Sequence, residues 1–320
     1  MTEEPVKKTL DEEVRAFREL AKGLSNWGRW GADDERGTVN FITPEVVKKA
    51  ATLVRKGKVI SMAIPFGSDG PQIGTGGRIN PVHLMTATGG DSHTQNFPGG
   101  LKYTDDFIIM PLQSATQWDA LAHVYYGDQI YNGYPSNTVT GQGAAKNSIE
   151  RQRSGIVSRG ILLDIARLKG VDWLGGGELI SPADLDAAAA KEGVKVQAGD
   201  VVLIRTGWYR KLQTDHDKVA FSSTEPGLSL ACAKWMHAHS IAAVAMDNYA
   251  VDPLPAEKQI LLPFHMVAIR DMGMTLGEIF DMEELAVDCA ADGVYEFLFV
   301  GAPLPIANGV GSPINPLAIK

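Results

Sequence analysis

Three short runs in the second half of the chain constrain its fold more than any other feature. Ile156–Ile165 (IVSRGILLDI), Asp200–Thr206 (DVVLIRT) and Ile241–Met246 (IAAVAM) are mostly apolar and bounded by turn-forming residues. Runs of this length and character suit strands covered on both faces. The segments between them read as helices. Ser181–Glu192 opens on Ser-Pro-Ala-Asp, a capped start, and Leu228–Ala238 follows the second run. Val59–Ile64 and Tyr295–Val300 (YEFLFV) add further strands, and Glu283–Cys289 a short helix. Strands alternating with helices predict an α/β fold with a buried sheet.

The N-terminal part is organised differently. Leu10–Lys22 reads as an amphipathic helix capped by Thr9, and Pro44–Lys56 as a second helix capped by Thr43 with proline at its first position. Gly67–Gly100 reads as one long loop holding His83, Asp91 and His93, and loops of that length are usually functional or mobile. Its GTGGR resembles a phosphate loop only superficially, since the G-x-x-x-x-G-K-[ST] spacing is missing. The organisation expected is a helical extension over residues 1–25 and one compact domain over residues 26–320.

Composition excludes some classes of partner. The net charge is −8 and the pI about 5.4, which opposes binding to nucleic acid. No apolar run approaches the ~20 residues of a membrane helix. Cys232 and Cys289 alone do not make a disulfide framework, and the charged N-terminus shows no apolar leader segment. A cytoplasmic, reduced setting is the expectation.

The stretch PLQSATQWDALAH, Pro111–His123, carries the most chemistry. Phe107–Met110 runs into it as a buried strand would. Gln113, Gln117 and Asp119 then fall at even spacings, which put them on one face of an extended chain. His123 follows Asp119 by four residues, so a turn of helix would return it to that side. Such a cluster can bind a metal, do chemistry, or cap the fold. Of the other histidines, His265 lies in an apolar segment, where the bland reading is a core residue, and Glu278 follows Gly277, where the bland reading is a surface carboxylate. There is no G-x-S-x-G and no H-E-x-x-H. Asp119, His123, His265 and Glu278 suit a metal-assisted reaction better than a serine or cysteine hydrolase.

The same stretch resembles the signature of the putative cyclase family, H-x-G-T-H-x-D-x-x-x-H, which includes kynurenine formamidases and isatin hydrolases. The spacing is identical, and Thr116, Asp119 and His123 are in place. Gln113 and Gln117 replace the first two histidines and Ala115 the glycine, as in a similar sub-group reading Q-x-x-T-Q-W-D. The resemblance runs from about Asn26 to the C-terminus. It implies a swivelling β/β/α fold, a homodimer or higher homo-oligomer, and hydrolysis of a carbonyl–nitrogen or related bond in a small, aromatic or cyclic substrate with a bound divalent metal. His265 and Glu278 match the family's distal ligands. The implied ligand set is Gln113, Gln117, Asp119, His265 and Glu278, and its oxygen content favours Mn²⁺ over Zn²⁺. His123 is the implied acid–base, working beside Asp119. Trp27, Trp30, Trp118 and His93 are the candidate substrate contacts. Loss of two ligand histidines leaves another reading open, a non-catalytic small-molecule binding protein on the same fold.

Overall fold

The computed structural model describes residues 9–95 and 97–320; the first eight residues of the expected N-terminal extension lie outside the described residues. One sheet organises the chain. Its strands are β1 (Val59–Ser61), β4 (Gln117–Asp119), β5 (Val157–Asp164), β6 (Val201–Arg205), β7 (Ala243–Met246), β8 (Thr275–Glu278), β9 (Glu296–Val300), β10 (Gly311–Pro313) and β11 (Leu317–Ile319), while β2 (Val82–Ala87) and β3 (Asp105–Ile109) stand apart. The spatial order is β1-β11-β9-β5-β6-β7-β8-β4-β10. The four central strands β5, β6, β7 and β8 run parallel. They include the three apolar runs seen in the sequence, and every residue of β6 and β7 is buried. Antiparallel strands flank them on both sides.

Each face of the sheet has its own core. One gathers Val202, Val244, Leu276, Phe264 and Trp235, and takes in Phe17 and Ala21 of the N-terminal helix Leu10–Gly23. The other gathers Trp118, Phe280, Phe297 and Phe299. No helix among the described residues is long and apolar enough to cross a membrane.

Local sequence signals set the helix starts. Thr9 and Glu12 form a reciprocal capping box on the first helix. Thr43 caps Pro44–Ala51, which ends earlier than its pattern suggests. Ser181 and Asp184 cap Pro182–Lys191 in the same reciprocal way. Buried arginines tie the parallel strands to their surroundings. Arg159 on β5 makes a two-pronged pair with Asp200 at 2.8 and 2.6 Å, and Arg205 on β6 does the same with Glu283 at 2.7 and 2.9 Å.

Residues 67–110 depart from expectation. The stretch expected to be a loop contains β2, and Phe107–Ile109, expected to be buried, belongs to β3 of an exposed antiparallel ribbon. Phe107, Ile108 and Ile109 are 41, 46 and 54% exposed. An apolar run shows that a strand can be covered, and here the chain's own core does not cover it.

Glu192 at the end of helix Pro182–Lys191 gives a pH test of this packing. It accepts the Asp164 N–H at 2.8 Å, and its second oxygen is buried without a partner. Burial pushes its carboxyl up to about 8, against an ordinary 4.5. A raised folded-state value means that the stability it contributes is complete below about pH 4.5 and is lost as pH rises toward 8. Glu192→Gln is therefore expected to gain stability over the parent between pH 5 and pH 8, by on the order of 1 kcal/mol or more in denaturant titrations. Equal pH dependence in the two proteins would refute the buried, neutral carboxyl.

Candidate functional site

The site is built on β4, a three-residue strand that flanks the parallel core of the sheet. Gln117 stands opposite Glu278 on β8 and opposite Pro313 on β10. Trp118 points the other way, into the core, where its Nε1 donates to Gly301 O at 2.7 Å. Two neighbours make room for it. A Cβ at Gly277 would meet Trp118 Cζ3 at 2.6 Å, and a Cβ at Gly301 would meet Phe299 at 2.6 Å. Thr116 fixes the strand's entry by donating to Ile279 O at 2.6 Å and accepting from Ile64 N at 2.9 Å. With Trp118 down, Gln117 and Asp119 face up toward Glu278 and His265.

Asp119, His265 and Glu278 form a buried group whose nearest ligand atoms all lie within 4.8 Å of one another. His265 Nε2 is 3.0 Å from Glu278 Oε1 and 3.7 Å from Asp119 Oδ2. Gln117 Nε2 donates to Glu278 Oε2 at 2.5 Å. Both oxygens of Asp119 and the Oε1 of Gln117 are buried without a hydrogen-bond partner. Unsatisfied buried acceptors are costly, and the two oxygens of Asp119 beside His265 and Glu278 are an arrangement that a cation would satisfy. The donor set of two carboxylates, one imidazole and one amide oxygen fits a divalent metal.

The orientation of His265 comes from a residue not singled out in the sequence. Asp252 accepts the Phe264 and His265 backbone N–H groups at 2.8 and 3.0 Å and faces His265 Nδ1 at 2.8 Å. It thereby caps the helical turn that starts at Pro263 and turns Nε2 toward Asp119 and Glu278. Burial opposes charge on His265, but the neighbouring carboxylates of Asp119, Asp252 and Glu278 outweigh that and hold its pKa well above the usual histidine value. Burial also raises Glu278, reinforced by the Asp119 charge. In Asp119 burial is overcome by His123 and His265, and the carboxyl is lowered. The two carboxylates thus favour different protonation states, as close like-charged pairs do. A cation at the same point would replace the His265 Nε2 proton.

A cavity of about 460 Å³ opens on this group. His123 lines it with His265 and Glu278, and its Nε2 is 3.7 Å from Asp119 Oδ1. The turn after β4, rather than a helix, brings His123 round.

Other candidates lie elsewhere. Gln113 sits in the turn before β4, and its amide donates to Val310 O at 3.2 Å. Trp118 is fully buried, so it backs the site from the core rather than walling the cavity. Its place between Gln117 and Asp119 on a strand dictates this. Trp27 donates to Arg270 O at 2.7 Å beside a separate groove with Tyr126, and Trp30 packs edge-on against Phe41. His93 is exposed near Tyr103. The bland reading of Glu278 as a surface carboxylate does not hold, since it is buried, while His265 is a buried residue that faces Glu278 at 3.0 Å.

Residues 37–253 match the family model described as putative cyclase. A crystal structure described as a novel cyclase is 41% identical, with a TM-score of 0.86 over 92% of this chain and 99% of that one. Isatin hydrolase A from Ralstonia solanacearum is 18% identical, with a TM-score of 0.62 over 87% of this chain and 98% of that one. Isatin hydrolase A from Labrenzia aggregata is 16% identical, with a TM-score of 0.61 over 82% and 93%. At these lower identities the likeness is one of fold. No curated protein matches the chain.

Asp252 offers the sharpest check on the site. Asp252→Asn keeps the shape but removes the charge that holds the His265 Nδ1 proton. Mn²⁺ affinity, measured by calorimetric titration, is expected to fall ~10–100-fold. Unchanged affinity would mean that His265 is oriented by other contacts.

Proposed function

The chain belongs to the putative cyclase family, and from that premise we propose that it is a metal-dependent hydrolase. Its substrate would be a small molecule with a carbonyl–nitrogen or lactone bond. One observation carries the reading: Asp119, His265 and Glu278 bring ligand atoms within 4.8 Å of one another beside an open cavity, with both Asp119 oxygens buried and unpartnered. Fold neighbours at low identity, isatin hydrolases among them, support the same class of reaction.

Asp119, His265 and Glu278 would hold the cation, with Gln117 as a further oxygen donor and Mn²⁺ preferred to Zn²⁺. A divalent cation bound there would supply Lewis acidity toward the substrate carbonyl and acidify water. The protein's own groups do the rest. His123, half-buried at the cavity wall, is placed to take a proton from the attacking water and return it to the leaving atom. Asp119 stabilises the imidazolium formed in between. Asp252 holds the His265 ring fixed throughout. Val124 and Leu262 limit water around the reacting group. Self-association remains part of this proposal, with the exposed faces of β2 and β3 as the contact between copies. Light scattering on Ile109→Lys tests it, since a mass unchanged from the parent would remove the ribbon from that role.

Metal analysis of the purified, Mn²⁺-dialysed protein is the decisive experiment. Near-stoichiometric metal is expected, falling to near zero in Asp119→Ala. Hydrolysis across a panel of formamides, lactones and cyclic imides is expected to be abolished by a chelator and restored by Mn²⁺. His123→Ala is expected to keep its metal and lose ~10²-fold or more in turnover. A metal-free protein with no chelator-sensitive hydrolysis would instead support the non-catalytic binding protein.

A further inference from the structure

The cavity carries a second chemical feature on the wall facing the carboxylates. Arg78 and Tyr249 line it together with His265 and Glu278, and Arg78 Cζ lies 5.8 Å from the centre of the Tyr249 ring. Both side chains are half-buried. Tyr249 is held from behind by one buried residue, Gln72, which accepts its O–H at 2.8 Å and donates to Ser114 O at 2.9 Å. The loop that presents Arg78 is closed at its base by Asn80, which accepts the Gln72 N–H at 2.8 Å and donates to Gln72 O at 3.1 Å. A Cβ at Gly70 would meet Asn80 Oδ1 at 2.6 Å, so the clasp depends on glycine there.

A half-buried guanidinium requires a counter-charge. Among the described residues no carboxylate forms an ion pair with Arg78. Burial would lower its pKa, but the more distant charges on Glu278 and Asp119, together with Tyr249, raise it. Those two carboxylates are the ones a divalent cation would neutralise. Asp252 does not substitute for them, because its oxygens are occupied by three N–H groups of Phe264 and His265. With the cation in place, Arg78 is left as a cation facing an open cavity. Around it the wall is apolar, formed by Val124, Leu254 and Leu261.

We propose that Arg78, aimed by Tyr249, is the anion-binding subsite of this cavity, and that its ligand is a small carboxylate with an apolar body. The carboxylate meets the guanidinium, whose planar fork matches two oxygens at once. The body lies against Val124, Leu254 and Leu261. A carbonyl elsewhere in the molecule would then face the cation that Asp119, His265 and Glu278 would hold. Tyr249 is a positioning residue: its proton is used on Gln72, so its oxygen is free to accept from Arg78 and set the direction of the fork. The inference rests on the hydrolase reading only for the cation that frees Arg78 from Glu278 and Asp119.

Calorimetric titration of the full chain with benzoate and with benzamide, its neutral counterpart, tests this with and without Mn²⁺. The Mn²⁺-loaded protein is expected to prefer benzoate by ~10-fold or more. Arg78→Met is expected to abolish that preference while leaving benzamide binding, Mn²⁺ stoichiometry and the melting temperature unchanged, and Arg78→Lys to recover part of it. Tyr249→Phe is expected to weaken benzoate severalfold and leave benzamide alone, a split that a merely structural defect would not produce. A benzoate preference that survives in Arg78→Met assigns the anion to the cation site and overturns the proposal. So does a Mn²⁺-loaded protein with no preference at all, and that result leaves the hydrolase reading standing. A protein that holds no Mn²⁺ but shows an Arg78-dependent preference would do the reverse, and one with neither would remove both.

Discussion

The site depends on the register of three residues. β4 spans only Gln117–Asp119, yet it is paired on both edges, to β8 and to β10. Its direction is fixed by Trp118, whose indole is buried on the core side and hydrogen-bonded to Gly301. Side chains alternate along a strand, so a slip of one residue would expose the tryptophan and bury the two polar groups in the apolar core. Neither arrangement is tolerable, and the register is therefore strongly specified. Gly277 makes the pairing possible by leaving room for the indole beside the strand that ends at Glu278. The apolar core and the polar cluster are in this sense one construction, seen from opposite faces of the same strand.

Much of the frame was legible because its signals are local. The capping pairs Thr9–Glu12 and Ser181–Asp184 lie three residues apart and needed no tertiary information. The parallel strands were legible because both faces are buried and the sequence shows it as unbroken apolarity. Asp119, His123, His265 and Glu278 were grouped in the sequence by their suitability for metal-assisted chemistry, but nothing local showed that the second pair, more than 140 residues away, folds against the first. The rest failed for one physical reason: the missing information was non-local. Asp252 is an ordinary turn aspartate until Phe264 and His265 fold back onto it. Arg78 is one residue of a glycine-rich loop until Gln72 joins that loop to Tyr249. Phe107–Ile109 has the composition of a core strand, and composition carries no address for what covers it.

The two glutamines, alike in the sequence pattern, come apart in the structure. The even spacing of Gln113, Gln117 and Asp119 suggested one shared face, but the chain is extended only from Gln117 onward. Gln113 lies in the preceding turn and donates to a carbonyl beside β10, where Gly311 gives it space. Gln117 stays in the cluster with its nitrogen toward Glu278 and its oxygen unpartnered. One is a structural bridge, and the other hydrogen-bonds to Glu278 within the buried cluster.

That neutrality changes what the cluster can do. An imidazole at position 117 could itself be protonated and would compete with a cation for the space between Asp119 and Glu278. An amide cannot take up that proton near neutral pH, yet it still offers an oxygen after half a turn about its last bond. Cation binding is then opposed mainly by the proton shared between His265 and the carboxylates, and that proton is held in place by Asp252 from the far side of the ring. Affinity should accordingly rise with pH as this one proton is released. In the proposed metal site the two carboxylates would carry the attraction, the Gln117 amide would add an oxygen without adding charge, and the preference would shift toward harder, oxygen-seeking cations.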